Sequence, residues 1–172
     1  MELIRNYHLS GEIVIAADAP KNEAYAAAEL RYYFNRMTSY PARIQPADEP
    51  REEAVIVIGG ALPLYGEALE SYADDELHWY VKDGRIFFDG GCRGLLYGVY
   101  DFLETMGCRF FTPECERVPT VADYTVAETD RRDKPALEYR NFYYSDTLDN
   151  PRFGAKSCAR CSVAGCPKRA GT

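Results

Sequence analysis

The sequence predicts an α/β fold: a two-layer sandwich in which a mixed sheet of four to six strands carries two helices on one face. Two stretches with the same apolar spacing and the strand-forming runs around them support it. In the first stretch Ala26, Leu30, Tyr33, Phe34 and Met37 fall at i, i+4, i+7, i+8 and i+11. In the second Leu95, Val99, Phe102, Leu103 and Met106 repeat that spacing. Each series marks one face of an amphipathic helix. Short runs rich in β-branched and aromatic residues lie between and around them. Helices striped on one side bury that stripe, and one face of a sheet can receive both.

Glu12 to Ala17 reads as a buried strand, and Asp18-Ala19-Pro20 supplies helix-start chemistry. The first helix runs from Asn22 to Thr38, Pro41 closes it, and Ala42 to Gln45 forms a short strand. Pro46 to Glu53 is a polar loop. Ala54-Val-Ile-Val-Ile58, stopped by Gly59-Gly60, has the continuous apolar character of a central strand. Leu62 to Tyr72 reads as irregular structure with a helical turn. Leu77–Val81 and Arg85–Phe88 flank Lys82-Asp83-Gly84, a hairpin signal. The second helix opens at Arg93-Gly94, ends at Gly107 and feeds a strand at Cys108–Phe111. Tyr124–Ala127 is one more candidate strand. Arg131-Arg132-Asp133-Lys134-Pro135 reads as a charged linker, and Ala136 to Tyr144 as a strand that starts something new.

The chain has 172 residues, too few for a complete (β/α)₈ barrel of about 250. Its 47% hydrophobic content supports a packed core rather than wholesale disorder. A formal charge of −7 argues against a nucleic-acid partner, whose phosphates select Lys and Arg. No apolar run approaches the roughly 18 residues of a membrane span, and the N-terminus lacks a signal-peptide core. The expectation is a soluble, cytoplasmic domain. The charge is uneven: residues 156–172 carry +4, no acid and three of the six cysteines, leaving −11 on residues 1–155. The chain thus divides into three segments: a domain over 1–130, a linker with a new first strand over 131–155, and an aberrant or disordered basic Cys-rich tail over 156–172.

Asp83-Gly-Arg-Ile-Phe-Phe-Asp-Gly-Gly-Cys-Arg-Gly-Leu-Leu-Tyr-Gly-Val-Tyr-Asp-Phe-Leu-Glu104, followed by Gly107-Cys-Arg-Phe-Phe-Thr-Pro113, is the most distinctive stretch. With Ala27-Ala-Glu-Leu30, Tyr33 and Val55-Ile-Val-Ile-Gly59, it resembles the N-terminal accessory domain of glycoside hydrolase family 67 α-glucuronidases. It is closer still to a related group that carries this module before a domain of unknown function 4838. The N-terminal domain of family 20 β-hexosaminidases is similar in architecture. The resemblance spans about residues 10 to 152. It implies a non-catalytic α-glucuronidase-like accessory domain in carbohydrate metabolism, whose partner is a catalytic barrel downstream, with carbohydrate as a further partner. It implies no cofactor.

Lys134 to Arg140, with Asp146, is similar to the first barrel strand of the hexosaminidase group. There a strand arginine contacts the sugar, and Arg140 is the matching position. Asn141 stands where that group has glycine, and Ala136-Leu137 replaces its aromatic. Beyond Lys156 the likeness stops, which suggests a reading frame broken at that point.

Other chemistry is sparse. Cys158, Cys161 and Cys166 offer three thiolates to a metal, with Cys108 and Cys115 as a second half, but no paired knuckle accompanies them. Cys92 and Cys108 read as small buried side chains. His8 and His78 are the only histidines, and His78 reads as a structural or exposed strand residue. Asp74-Asp75-Glu76 are adjacent loop acids. Asp101 and Glu104 share a helix face opposite the apolar stripe and read as solvated. Gly91 and Gly94 read as turn devices, and Gly98 as a place where helix and strand approach closely. Tyr65, Tyr72, Trp79, Tyr80, Tyr139, Tyr143 and Tyr144 are candidates for a sugar platform or for packing against the barrel.

Overall fold

The structure is a computed structural model that describes residues 1–137 and 149–156. A six-stranded mixed sheet forms its centre. In chain order its strands are β3 (Glu12–Ala16), β4 (Ile44–Ala47), β5 (Ala54–Ile58), β6 (Leu77–Lys82), β7 (Arg85–Gly90) and β11 (Asp130–Asp133). Across the sheet the order is β11-β6-β7-β5-β3-β4. β4, β3, β5 and β7 run parallel, while β6 and β11 are antiparallel to their neighbours. Helix α1 (Lys21–Met37) connects the parallel strands β3 and β4, and helix α2 (Gly94–Thr105) follows β7. Both lie on one face, as the two stripes predict: an α/β two-layer sandwich.

Strand alternation decides what meets the helices. Ile13, Ile15, Ile56, Ile58, Leu77, Trp79, Ile86 and Phe88 share a core with Leu30, Phe34, Leu95, Val99 and Phe102. Val14, Val57 and Phe87 point the other way, into a smaller core with Ala61 and Leu62 of a 3₁₀ helix at Gly59–Tyr65. This short helix resolves the irregular stretch after β5. Glu23 of α1 accepts the Gly60 N–H at 3.0 Å, tying the two helices together. Between β6 and β7 the turn residues Asp83 and Gly84 have φ of 49° and 71°, the type I′ signature.

Several elements depart from expectation. The charged stretch at 131–135 is a strand for its first three residues, paired to β6 through Asp130↔Tyr80 and Arg132↔His78. β4 starts two residues later than expected and includes Pro46, which an edge strand tolerates. After α2 only Arg109–Phe110 (β8) is extended, and it pairs with Glu116–Arg117 (β9) in a separate ribbon. Tyr124–Thr125 (β10) joins an unforeseen N-terminal pair, Glu2–Arg5 (β1) and His8–Leu9 (β2). A short helix, Pro151–Lys156, comes after the sheet and is capped by Asn150 Oδ1, which accepts the Phe153 N–H at 3.2 Å.

Candidate functional site

Among the described residues, a group of partly or wholly buried charges gathers where α1, α2, the β8–β9 ribbon and the last described helix meet. On α1, Glu29, Tyr32, Tyr33 and Arg36 fall at i, i+3, i+4 and i+7, so they line one side of the helix. Tyr100 of α2 faces them, and Phe110 and Glu116 come from the β8–β9 ribbon. Glu29 is buried, and its Oε2 accepts the Tyr100 hydroxyl at 2.6 Å and Arg152 Nε at 3.0 Å. Glu116 accepts Tyr33 OH at 2.9 Å and Lys156 Nζ at 2.8 Å, and it also pairs with Arg36.

Ring walls complete this socket. The Arg152 guanidinium lies 4.4 Å from the Tyr32 ring centre, and Lys156 Nζ lies 5.4 Å from that of Tyr33 and 5.0 Å from that of Phe110. Cation–π attraction strengthens where water is excluded, and the Lys156 side chain is only 6% exposed. Burial pushes the Glu116 carboxyl up, but donors from Lys156, Tyr33 and Arg36 outweigh it and hold it below the usual range. Burial, then the charge and hydrogen bond of Glu29, drive the Tyr100 hydroxyl far above its ordinary value, so it stays a donor.

A second polar cluster sits on the other face, between β6, β7, β11 and the loop before β6. His78 is buried, with Nδ1 2.7 Å from Tyr72 OH and Nε2 2.9 Å from Asp130 Oδ1. Asp89 is buried too; it accepts the Gly90 N–H at 2.8 Å and a hydrogen bond from Tyr72. Tyr72 has one hydroxyl hydrogen, so it serves either His78 Nδ1 or Asp89 at a given moment. Burial raises the Asp89 carboxyl above its usual range despite these donors. Arg132 covers the Tyr72 ring at 4.8 Å and binds Glu70 at 2.7 Å and Glu76 at 2.8 Å. The cluster fastens edge strand β11 to the loop.

An open cleft of about 350 Å³ lies between the β2 turn and the segment after α1. His8 and Tyr40, both in its lining, stack with ring centres 3.4 Å apart, and Glu12, Arg43 and Glu53 add charge. Glu12 is buried and held by Arg51 at 2.9 Å.

The sequence-predicted residues fare unevenly. Arg140, Cys158, Cys161 and Cys166 lie outside the described residues, as do Tyr139, Tyr143 and Tyr144. Cys108 is buried and free, whereas Cys92 is half-buried and disulfide-bonded. Among the described residues, no group of three His, Cys, Asp or Glu side chains is arranged to hold a metal ion. Asp101 is not simply solvated: it is half-buried and accepts the Trp79 indole N–H at 2.7 Å. Asp74 and Asp75 flank Arg93, and Glu76 accepts the Ala73 N–H at 3.0 Å, so these acids anchor a loop. Tyr72 and Trp79 are buried, and Tyr65 and Tyr80 pack against the smaller core, so these four form no exposed platform. Among the described residues, no helix is long and apolar enough to cross a membrane.

The sequence reading missed Glu29, Glu116, Arg152 and Lys156. A signal for the first was present: Glu29 lies three residues after Ala26 and four before Tyr33, inside the buried stripe of α1. No protein-family model matches the chain, and no curated protein matches it either.

Proposed function

We propose that this chain is the non-catalytic N-terminal accessory domain of a glycoside-hydrolase-like, α-glucuronidase-like protein. Its work is to brace a catalytic barrel downstream, and its setting is carbohydrate metabolism. The observation that carries this reading is the return of the chain after β11. Its next described helix packs back onto the helix layer, burying Ala155 in the main core and setting Arg152 and Lys156 against Glu29 and Glu116. A domain built to hold a downstream partner needs such a contact. The two-layer architecture supports the reading, since it is the one the resemblance implies.

The test is to express the chain together with the coding region downstream as one polypeptide, and to assay both forms on a panel of aryl glycosides. The longer polypeptide is expected to hydrolyse at least one substrate, and the 172-residue chain none. Hydrolysis by the short chain alone overturns the reading, as does a downstream region without hydrolase activity.

The cleft at His8 and Tyr40 favours a second reading, a carbohydrate-binding module. An aromatic stack in a cleft that Arg43 also lines suits a sugar ring with polar edges. Pull-down on insoluble polysaccharides, compared between the wild type and Tyr40→Ala, distinguishes it: binding lost with the tyrosine supports this reading.

A further inference from the structure

We infer that the Glu29–Glu116 socket is a charge-read joint: it grips the chain's continuation through one guanidinium and one ammonium placed four residues apart on a helical turn. The inference rests on the accessory-domain reading for what lies beyond the joint, but its geometry belongs to this chain alone. Residues four apart on a helix share a face, so Arg152 and Lys156 enter the socket together. Ala155 is 2% exposed and fills the space between them and the core. Each cation meets a carboxylate and an aromatic wall: Arg152 has Glu29 and Tyr32, and Lys156 has Glu116, Tyr33 and Phe110.

The socket is built from elements that the sandwich positions without help from the helix it receives. Glu29, Tyr32 and Tyr33 ride on α1, Tyr100 rides on α2, and Arg36 and Tyr33 orient Glu116 from the domain side. Removing the pegs therefore leaves a formed receptor. Tyr32 remains 41% exposed although the Arg152 guanidinium lies over its ring, so it forms the rim of the joint. The ligand class is thus a basic helical turn of pattern Arg-x-x-Ala-Lys, and the occupant is the chain's own continuation.

Hydrogen exchange on the full chain tests the joint. In the wild type the Gly154 amide, which donates to the Asn150 carbonyl at 3.1 Å, is expected to be protected. In Arg152→Gln/Lys156→Gln, protection over residues 149–156 is expected to fall at least tenfold, while amides of β3 and β5 keep theirs. In Arg152→Lys/Lys156→Arg, which keeps both charges, protection is expected to stay within threefold of wild type. Unchanged protection of 149–156 in the Gln variant overturns the joint. Parallel loss in β3 and β5, or failure of that variant to fold, also overturns it, because the sandwich then needs the helix in order to form and no preformed socket receives it. Failure of the glycoside assay touches only the barrel reading and leaves this result standing.

Discussion

Two glycines of the Arg-Gly-Leu-Leu-Tyr-Gly stretch should respond to alanine in opposite directions. A Cβ on Gly94 would lie 1.8 Å from the Glu76 carbonyl oxygen and 2.3 Å from its carbon. Both are rigid backbone atoms, so the 73–76 loop must retreat by more than an ångström. That retreat breaks three bonds: Gly91 N–H to Glu76 O at 2.8 Å, and Arg93 and Gly94 N–H to Asp74 O at 2.8 and 2.9 Å. At about 1 kcal/mol net for each, Gly94→Ala costs roughly 2–3 kcal/mol after a small gain in helix propensity. In a domain of this size that is a fall in Tm of about 5–10 °C. Gly98 is different. Its Cβ would meet Leu77 Cβ at 3.7 Å and the His78 carbonyl oxygen at 3.9 Å, which is ordinary contact. Gly98→Ala should therefore be neutral or stabilise by up to about 1 kcal/mol. Urea and thermal denaturation of the two variants decide the matter. A Gly94→Ala protein within about 1 kcal/mol of wild type, or a Gly98→Ala protein that loses more than that, refutes the steric account.

Burial raises the Asp89 carboxyl, so the folded protein holds that proton to a higher pH than the unfolded chain does, whose value is about 3.9. The associated stability is present below about pH 4 and is lost as pH rises through the raised value. Wild type should therefore lose stability relative to Asp89→Asn as pH rises above about 4, read from urea midpoints; a difference that stays flat with pH contradicts the raised carboxyl. Cys108 and Cys115, the free cysteines among the described residues, should separate in alkylation at about pH 8. Cys115 is exposed and should label quickly. Cys108 is buried, and burial followed by the Glu116 charge pushes its thiol up to about 12, so it should label only on unfolding. Peptide mass spectrometry reads both, and equal labelling rates contradict the burial of Cys108.

The elements that local chemistry dictates are the ones the sequence displays. The Asp83-Gly84 turn needs two positive φ values, and few other residue pairs offer them. The two helices carry their stripes over 17 and 12 residues, long enough for a period to stand out. Elements made by distant pairing leave no such trace. β1 and β2 hold four and two residues, and β1 finds its second partner at Tyr124–Thr125, more than a hundred residues along the chain. Nothing near Glu2 announces that contact. β11 is Asp-Arg-Arg-Asp, without one apolar side chain, and by propensity it is a linker. It is a strand because it lies at an edge, where backbone pairing suffices. Each of its first three side chains finds a fixed charge or ring: Asp130 meets His78, Arg131 meets Asp101, and Arg132 meets Glu70 and Glu76.

The same distinction separates the legible part of the candidate site from the rest. Glu29 interrupts an apolar stripe, and a buried carboxylate without partners would cost several kcal/mol, so its position alone requires a donor and a cation nearby. Which ones cannot be read locally. Tyr100 lies 71 residues away and Arg152 123 residues away, and only the crossing of α1 over α2 and the return of the last described helix bring them together. Glu116 gives even less warning, because it sits in a strand of only two residues, both charged. Its role comes from the β8–β9 ribbon, which carries it over the end of α1 to Arg36 and Tyr33. An acid on a buried stripe is thus a readable demand for a partner, and the fold supplies the partner from wherever the chain passes next.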